Sequence, residues 1–184
     1  MYISVVIPLY NKKDAIIRAI NSVFNQTILP NEIIIVNDGS TDGSDKIVEL
    51  LNHPLIFLIH QKNAGVSAAR NTGIEAAKNE WIAFLDADDV WMPNYLENIK
   101  NLAQSFPECS VLATAYELQD ASGKCTSIIL NKIPFEGNSG KLTNYFEVAA
   151  CSHPPLWSSA IIVKKDALQA IGGFLVGIKS GEDL

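Results

Sequence analysis

The sequence lacks any apolar run long enough to span a bilayer, and it is poor in basic residues. The opening segment "YISVVIPLY" is too short for the apolar region of a signal peptide, and no basic stretch precedes it. There are 14 Lys and Arg against 20 Asp and Glu, which gives a formal net charge of −6. This balance argues against nucleic acid as the main partner, because phosphate backbones attract basic surfaces. We therefore expect a protein of the cytoplasm, including the inner face of the membrane, without a transmembrane segment.

Cysteine is also scarce. Cys109, Cys125 and Cys151 are widely spaced, form no CxxC pair and make no zinc-type grouping with the three histidines. An odd number of separated cysteines in an intracellular chain favours reduced, buried thiols over disulfides or a metal cluster.

Several nucleotide and nucleophile motifs are missing as well. The chain contains no P-loop, no GxGxxG and no GxSxG, so nothing indicates an ATPase, a dinucleotide dehydrogenase or a serine hydrolase of that type. What it does contain is 48% hydrophobic residues over 184 positions, which is enough for one globular domain with a sizeable core.

The first hundred residues alternate between short apolar runs and amphipathic stretches. The apolar runs are "ISVVIPLY", "EIIIVND", "LIFLIH" and "WIAFLD". The stretches between and after them are "DAIIRAINSVFNQ", "SDKIVELLN", "VSAARNTGIEAAK" and "PNYLENIKNLAQSF". Four such βα repeats predict an α/β fold of the Rossmann-like type, with a mainly parallel sheet covered by helices on both faces.

After Pro107 the pattern becomes irregular. Two β-type segments flank a turn at Ser122 and Gly123, which predicts a hairpin. A helix, a further strand in "WSSAIIVKK" and a last short helix follow. We therefore expect one continuous domain with two parts, in which residues 1–107 bind the main ligand and residues 108–184 form a smaller mixed α+β wall of the cleft.

Polar clusters follow each of the four predicted parallel strands. These clusters are residues 8–11, 37–40, 61–65 and 86–89. Ligands of open parallel sheets bind outside the carboxyl ends of the strands, so the four clusters should border one site. Each cluster alone is weak support, because turns are polar in any case.

The cluster after the fourth strand holds three acids, Asp86, Asp88 and Asp89. Carboxylates crowded in this way repel one another unless a positive charge lies among them. One interpretation is a divalent-cation site, in which an alternating pair of carboxylates binds a hard ion that also contacts substrate phosphates. The alternative is that Asp88 or Asp89 caps the next helix. The neighbouring polar loops favour the cation site.

Three other residues have open interpretations. Asp38 can accept hydrogen bonds from a base or ribose, and Tyr10 can either stack on a base or pack at the strand end. Arg70 lies in the first half of its helix, where the helix dipole does not favour a cation, so it should be paired or face a ligand. Extension of its side chain to the surface is the alternative.

Five motifs together resemble glycosyltransferase family 2. They are "VVIPLYNK", "IIIVNDGSTDGS", "NAGVSAARNTGI", "FLDADD" and "GGF…GEDL", and they extend in this order from about Ile3 to Asp183. The resemblance implies a GT-A fold and an inverting transfer from a nucleotide-sugar donor, with UDP as the default nucleotide. The acceptor would be a hydroxyl-bearing sugar or lipid-linked molecule in polysaccharide or glycoconjugate synthesis, and the cofactor Mn²⁺ or Mg²⁺.

The resemblance also implies roles for individual residues. Residues that would hold the donor nucleotide are Pro8, Tyr10, Asn11, Asp38, Gly65, Arg70 and Asp86. Asp88 would be the principal metal ligand, with Asp86 on the ribose or the metal, and Asp183 the general base. Members of the family usually continue beyond the Glu182–Asp183 pair, so we expect a truncated catalytic domain that binds donor but turns it over weakly.

Two other function classes remain open at this point. In a phosphatase of the haloacid-dehalogenase type, Asp86 would be the nucleophile and Asp88 the acid/base, with Lys164 or Lys165 as the required lysine. That motif normally ends the first strand of its domain, whereas three βα units precede it here. A non-catalytic sugar-nucleotide-binding fragment is the second alternative. Trp157 is expected to pack in the core, although stacking on an acceptor sugar is an alternative.

Overall fold

The computed structural model describes residues 1–177. The strands in this span are β1 (Ile3–Leu9), β2 (Glu32–Asp38), β3 (Ile56–Gln61), β4 (Trp81–Phe84), β5 (Val111–Ala113), β6 (Glu117–Gln119), β7 (Cys125–Ser127) and β8 (Ile161–Lys164). The helices are α1 (Ile16–Phe24), α2 (Ser44–Leu51), α3 (Val66–Ala76), α4 (Tyr95–Ser105), α5 (Tyr145–Ala150) and α6 (Lys165–Ala170).

A six-stranded sheet in the order β3-β2-β1-β4-β8-β5 forms the centre of the molecule. The first four strands are parallel, as the βα pattern predicts, while β8 is antiparallel to both β4 and β5. Strands from both sides of Pro107 therefore belong to one sheet. The predicted hairpin is confirmed as the separate pair β6–β7.

The sheet buries a core on each of its faces. In β1, Val5 and Ile7 belong to the core formed with α1, α2 and α4, while Val6 belongs to the core formed with α3 and α6. Alternate residues of a strand point to opposite faces, so a continuous apolar run is the pattern expected of a strand covered on both sides. This confirms the predicted fold class.

Helix α3 packs very close to β1. A Cβ atom added to Gly73 would lie 2.3 Å from Cγ1 of Val6, a distance that real atoms do not adopt. The missing side chain therefore lets the helix approach the sheet, and this approach sets the position of the α3 N-terminus at the carboxyl edge.

The order of the strands places a switch point between β1 and β4. The chain passes from β1 outward through β2 to β3, then returns to the other side of β1 as β4. The connections that leave β1 and β4 consequently diverge above the sheet and leave a crevice, the usual ligand position in open α/β folds.

Three local expectations are wrong. The β-type segment predicted between Pro107 and the Ser122–Gly123 turn divides into β5, which pairs with β8, and β6, which pairs with β7. The helical stretch "PNYLENIKNLAQSF" is expected to carry Pro93 in its first turn, but helix α4 begins at Tyr95, and the carbonyl of Pro93 before it accepts a hydrogen bond from the N–H of Thr27 at 2.8 Å. Of the thiols, Cys125 and Cys151 are exposed and Cys109 is half-buried.

Within residues 1–177, none of the helices combines the length and the apolar character that crossing a membrane requires.

Candidate functional site

A cleft of about 350 Å³ lies at the switch point, above the carboxyl ends of the parallel strands. Its walls come from the carboxyl ends of β1 and β2, from the loops after β1, β3 and β4 and from the start of α3, and each of the four polar clusters that the sequence indicates contributes to them. The lining residues are Pro8, Leu9, Tyr10, Lys12, Asp38, Asn63, Gly65, Val66, Ala69, Asp86, Ala87 and Asp88. Five of the seven predicted donor-binding residues line this cleft, and Asn11 and Arg70 do not.

Asp38 organises one side of the cleft. It is only 2% exposed, and its Oδ1 accepts hydrogen bonds from Gln61 Nε2 at 2.7 Å and from the N–H of Ala64 at 2.9 Å. Its Oδ2 accepts one from the N–H of Gly65 at 2.9 Å. Hydrogen bonds to a carboxylate are stronger than neutral ones, so Asp38 fixes the turn that leads into α3.

Gly65 is the residue at which this turn becomes the helix. It has φ of 92° and ψ of 165°, a conformation that only glycine adopts without strain. Helix α3 has no side-chain cap, and its first N–H groups lie beside the cleft wall formed by Gly65 and Val66. The unpaired N–H groups and the dipole at such a helix start favour an anionic group.

Tyr10 and Asn11 have different positions in the loop after β1. Tyr10 is 49% exposed and its ring lines the cleft. Asn11 has φ of 51°, and its side-chain oxygen accepts a hydrogen bond from the N–H of Thr41 at 2.8 Å. Its own N–H donates to Ser40 Oγ at 3.1 Å. Asn11 therefore ties the loop after β1 to the loop after β2 and supports the cleft from outside.

Arg70 is buried beneath the cleft and paired with Asp86. Its Nη2 lies 2.9 Å from Oδ1 and 3.3 Å from Oδ2 of that carboxylate, and the guanidinium stands 5.1 Å from the ring centroid of Phe174. Ser158 donates a further hydrogen bond to Asp86 at 3.0 Å. The expectation of a paired Arg70 is confirmed, and the pair neutralises the first of the three acids.

Asp88, in contrast, is open to the cleft. Its side chain is 47% exposed and forms an ion pair with Lys12, which also lines the cleft. The carbonyl of Asp88 accepts a hydrogen bond from Nη2 of Arg18 at 2.9 Å, so the backbone is fixed while the carboxylate remains accessible.

Asp89 does not line this cleft. Its Oδ2 accepts hydrogen bonds from Ser159 Oγ at 2.6 Å and from the indole N–H of Trp157 at 3.2 Å. The three acids thus have separate partners, which explains how the sequence tolerates them within four positions. Trp157 is 41% exposed, so the expectation that it packs in the core is wrong.

Of the three acids, Asp88 meets the needs of a divalent cation best. Residues 1–177 contain no group of three or more His, Cys, Asp or Glu side chains arranged around one point. Mg²⁺ and similar ions need no such cage, because they keep several waters and bind one or two carboxylates together with substrate phosphates. The exposed carboxylate of Asp88 fits this requirement, whereas that of Asp86 is already bonded to Arg70 and Ser158.

The lysines that a phosphatase would need lie elsewhere. Lys164 pairs with Trp81 across β4 and β8, with its Nζ 5.3 Å from the indole centroid. Lys165 Nζ bonds to the carbonyl of Ala77. Both lysines lie near the amino-terminal end of β4, whereas the acids follow its carboxyl end. Neither lysine can therefore reach Asp86. Asp183 lies outside the described residues.

The sequence interpretation missed three contributors to the site. Lys12 follows the polar cluster after β1 by one residue, and an amine so close to that cluster was a usable signal. Ser158 and Ser159 contact Asp86 and Asp89 from about 70 residues downstream, and only the antiparallel pairing of β8 with β4 brings them there. No local pattern could have revealed these two serines.

Comparison with known proteins identifies the family. A family model described as Glycosyl transferase family 2 matches residues 4–171, which is nearly the whole chain. The chain belongs to glycosyltransferase family 2. The resemblance that the five motifs indicate is thereby confirmed.

Relatives of this glycosyltransferase chain are longer than the chain itself. The glycosyltransferase YibD of Escherichia coli K12 is 47% identical over 103 residues, which cover 55% of the chain and 30% of YibD. Across three of the most similar curated relatives, the matched region is 25% to 35% of their length.

Solved structures of glycosyltransferases share the fold. S. aureus TarS 1–349 in complex with UDP-GlcNAc aligns with a TM-score of 0.78 over 100% of this chain and 51% of its own, at 23% identity. The mannosyltransferase PcManGT of Pyrobaculum calidifontis, in complex with GDP-Man and Mn²⁺, aligns with a TM-score of 0.70 over 98% of this chain and 49% of its own, at 20% identity. The GT-A type of α/β fold is confirmed by these alignments.

Proposed function

We propose that this chain carries the donor-binding part of a metal-dependent, inverting glycosyltransferase. The enzyme would move a sugar from a nucleoside-diphosphate sugar, with UDP as the first candidate nucleotide, to a hydroxyl acceptor in polysaccharide or glycoconjugate synthesis. One observation carries the proposal. The accessible carboxylate of Asp88 stands at the mouth of a cleft whose opposite wall is the uncapped start of α3. A cation bound to Asp88 and the N–H groups at the start of α3 would together hold a diphosphate between them.

The nucleoside would occupy the part of the cleft between β1 and β2. Pro8 and Tyr10 supply apolar and aromatic surface there, and Asp38 with Gly65 supplies the fixed polar wall. Asn11 contributes by holding the two loops together. TarS was solved with UDP-GlcNAc and PcManGT with GDP-Man, and these neighbours support a nucleotide sugar as the class of donor.

Asp88 would hold the metal, and Asp86 would act beside it. A bound Mn²⁺ or Mg²⁺ would supply Lewis-acid stabilisation of the negative charge that develops on the departing diphosphate. Asp86, which is paired with Arg70, would contact the ribose or the metal. The complex of PcManGT with Mn²⁺ is consistent with this assignment of the metal.

The acceptor hydroxyl needs a base on the face of the sugar opposite the leaving group. Asp183 remains our prediction for this role, in which a carboxylate contributes about 10²- to 10⁴-fold to the rate. A single displacement of this kind inverts the anomeric centre. Location in the cytoplasm or against the inner face of the membrane also remains a prediction, as does the division at residue 107 into donor and acceptor parts.

Calorimetric titration with nucleotides tests the proposal. UDP, GDP and dTDP would each be added in the presence of Mn²⁺ and again with EDTA. We expect one of them to bind only with metal, and the Asp88→Ala variant to lose that binding. Asp14→Ala is a matched control, because Asp14 is also an exposed acid in this region but does not line the cleft. Absence of metal-dependent binding for all three nucleotides would overturn the proposal.

A non-catalytic donor-binding chain is the second candidate. Release of free sugar from the bound donor separates the two. Slow hydrolysis that Asp183→Asn abolishes, without a change in nucleotide affinity, supports an enzyme. Binding without any hydrolysis supports a binding chain.

A further inference from the structure

An aromatic pair stands beside the donor cleft without belonging to it. The rings of Tyr116 and Trp157 have centroids 5.4 Å apart and planes inclined by 33°. Trp157 is 41% exposed, whereas Trp81 and Trp91 are 5% and 7% exposed. A large aromatic surface left accessible to solvent beside a ligand cleft marks a place for a further ligand.

Both rings are held in place by their polar edges. The indole N–H of Trp157 donates to Oδ2 of Asp89 at 3.2 Å, and the hydroxyl of Tyr116 donates to the carbonyl of Pro154 at 2.8 Å. Fixing a ring by its polar edge leaves its apolar faces as the surface available for contact. The pair is thus oriented before any ligand arrives, which lowers the entropic cost of binding.

The position of the pair relative to the donor cleft follows from its bonds. Asp89, which holds Trp157, is the next residue after Asp88 at the cleft mouth. Ser159 bonds to Asp89, and the adjacent Ser158 bonds to Asp86. The aromatic pair is therefore attached to Asp89, the residue that follows the proposed metal ligand Asp88 in the sequence. Both rings belong to the second half of the chain.

We infer that Tyr116 and Trp157 form a platform for a pyranose ring of a carbohydrate acceptor. The inference rests on the proposed function and names the class of its second substrate. The C–H face of a sugar ring is apolar and packs on an aromatic face, while the ring's hydroxyls need hydrogen-bond acceptors nearby. Asp89 supplies one, because both of its side-chain bonds described above use Oδ2 and neither uses Oδ1.

Tryptophan fluorescence offers a direct test, since Trp157 is the exposed one of the chain's three tryptophans. The chain would be saturated with UDP and Mn²⁺, and quenching by acrylamide followed while methyl glycosides and short oligosaccharides of glucose, galactose and N-acetylglucosamine are added. We expect at least one saccharide to protect the fluorescence. Glycerol, which carries hydroxyls but no ring face, should give no protection at equal concentration.

Variants assign the effect to the platform. By saturation-transfer NMR, Trp157→Ala should weaken binding of the protecting saccharide roughly tenfold, while Trp157→Phe retains most of it. Phe146→Ala is the matched control, because Phe146 is an aromatic of the same half, is 83% exposed and lies on α5. It should leave saccharide binding unchanged.

UDP binding by the same variants separates the two hypotheses. If UDP still binds but no saccharide protects Trp157, or if Trp157→Ala binds saccharide as the wild type does, the platform is refuted and the proposed donor site stands. If none of UDP, GDP and dTDP binds the wild-type chain, the proposed function has failed and the platform fails with it.

Discussion

Lys12 and Asp88 form an ion pair across the mouth of the cleft, joining the loop after β1 to the loop after β4. Both side chains are close to half exposed, so the pair is a weak one that water and salt screen. In the proposed enzyme the Lys12 ammonium would stand where a metal ion would otherwise neutralise Asp88. Once a diphosphate is bound, the same ammonium can pair with a phosphate oxygen.

Replacing Lys12 by Met should therefore have opposite effects on Mn²⁺ affinity in two conditions. Without nucleotide, we expect Lys12→Met to bind Mn²⁺ about two- to fivefold more tightly, because the competing ammonium is gone. With UDP present, we expect weaker ternary binding, because a contact to the diphosphate is lost. Electron paramagnetic resonance of free Mn²⁺ measures both.

The adjacent lysine provides the control for that prediction. Lys13→Met removes the same charge, and the contact of Lys13 with Asp42 is made by its backbone N–H, which the substitution keeps. Lys13→Met should change Mn²⁺ affinity little in either condition. Equal shifts in the two variants would show that net charge, and not the Lys12–Asp88 pair, controls the metal.

The buried Arg70–Asp86 pair should matter for stability as well as for the site. Arg70→Met leaves Asp86 without its cation in a partly buried position, and breaking such a pair typically costs about 3–5 kcal/mol. Urea unfolding followed by circular dichroism would measure the loss. The double variant Arg70→Met, Asp86→Asn should recover part of it. A loss in the double variant equal to the sum of the two single ones would mean that the pair contributes nothing beyond its members.

Gly73→Ala should destabilise the protein, although alanine normally favours a helix by about 1 kcal/mol over glycine. The added Cβ would lie 2.3 Å from Val6, so α3 must move away from β1. Since α3 begins at the cleft, UDP binding should weaken together with stability. An increase in the urea midpoint would contradict this packing argument.

Glu32 lies at the amino-terminal ends of the parallel strands, opposite the cleft, and replacing it should lower the stability of the protein. It is 4% exposed, and its Oε1 accepts hydrogen bonds from Ser4, Asn79 and the N–H of Lys78 at 2.7 to 3.0 Å. Glu32→Ala leaves these buried donors unpaired and should cost about 1–3 kcal/mol. Because the network lies at the strands' amino ends, UDP affinity below the unfolding transition should stay unchanged. A parallel loss of UDP affinity would show that the two edges are coupled.

The sequence was sufficient to predict the parts of the molecule that local periodicity determines. The four parallel strands follow from apolar runs that alternate with amphipathic helices, and the location of the site follows from where those strands end. The pairing of Arg70 was also predictable, because its place in the first half of a helix is unfavourable for an unpaired cation.

Contacts made over long sequence separations could not be predicted in this way. Asp86, Asp88 and Asp89 look alike in the sequence, and their different roles arise from partners on α3, on the loop after β1 and before β8. Trp157 is predicted to be a core residue because aromatic residues usually are, whereas in the structure it is 41% exposed and its indole N–H bonds to Asp89. Cys125 lies on the short strand β7 and Cys151 directly follows the short helix α5, and both elements bury little, which explains why these thiols are exposed.

The serines before β8 would connect the two proposed substrate sites thermodynamically. Ser158 holds an acid of the donor cleft, while Ser159 holds the acid that anchors Trp157, and the two are adjacent in the backbone. A ligand that repositions either serine changes the free energy of occupying both sites. By linkage, an acceptor that tightens donor binding by some factor must itself be tightened by the same factor. The coupling between donor and acceptor affinity would then be a property of this dipeptide.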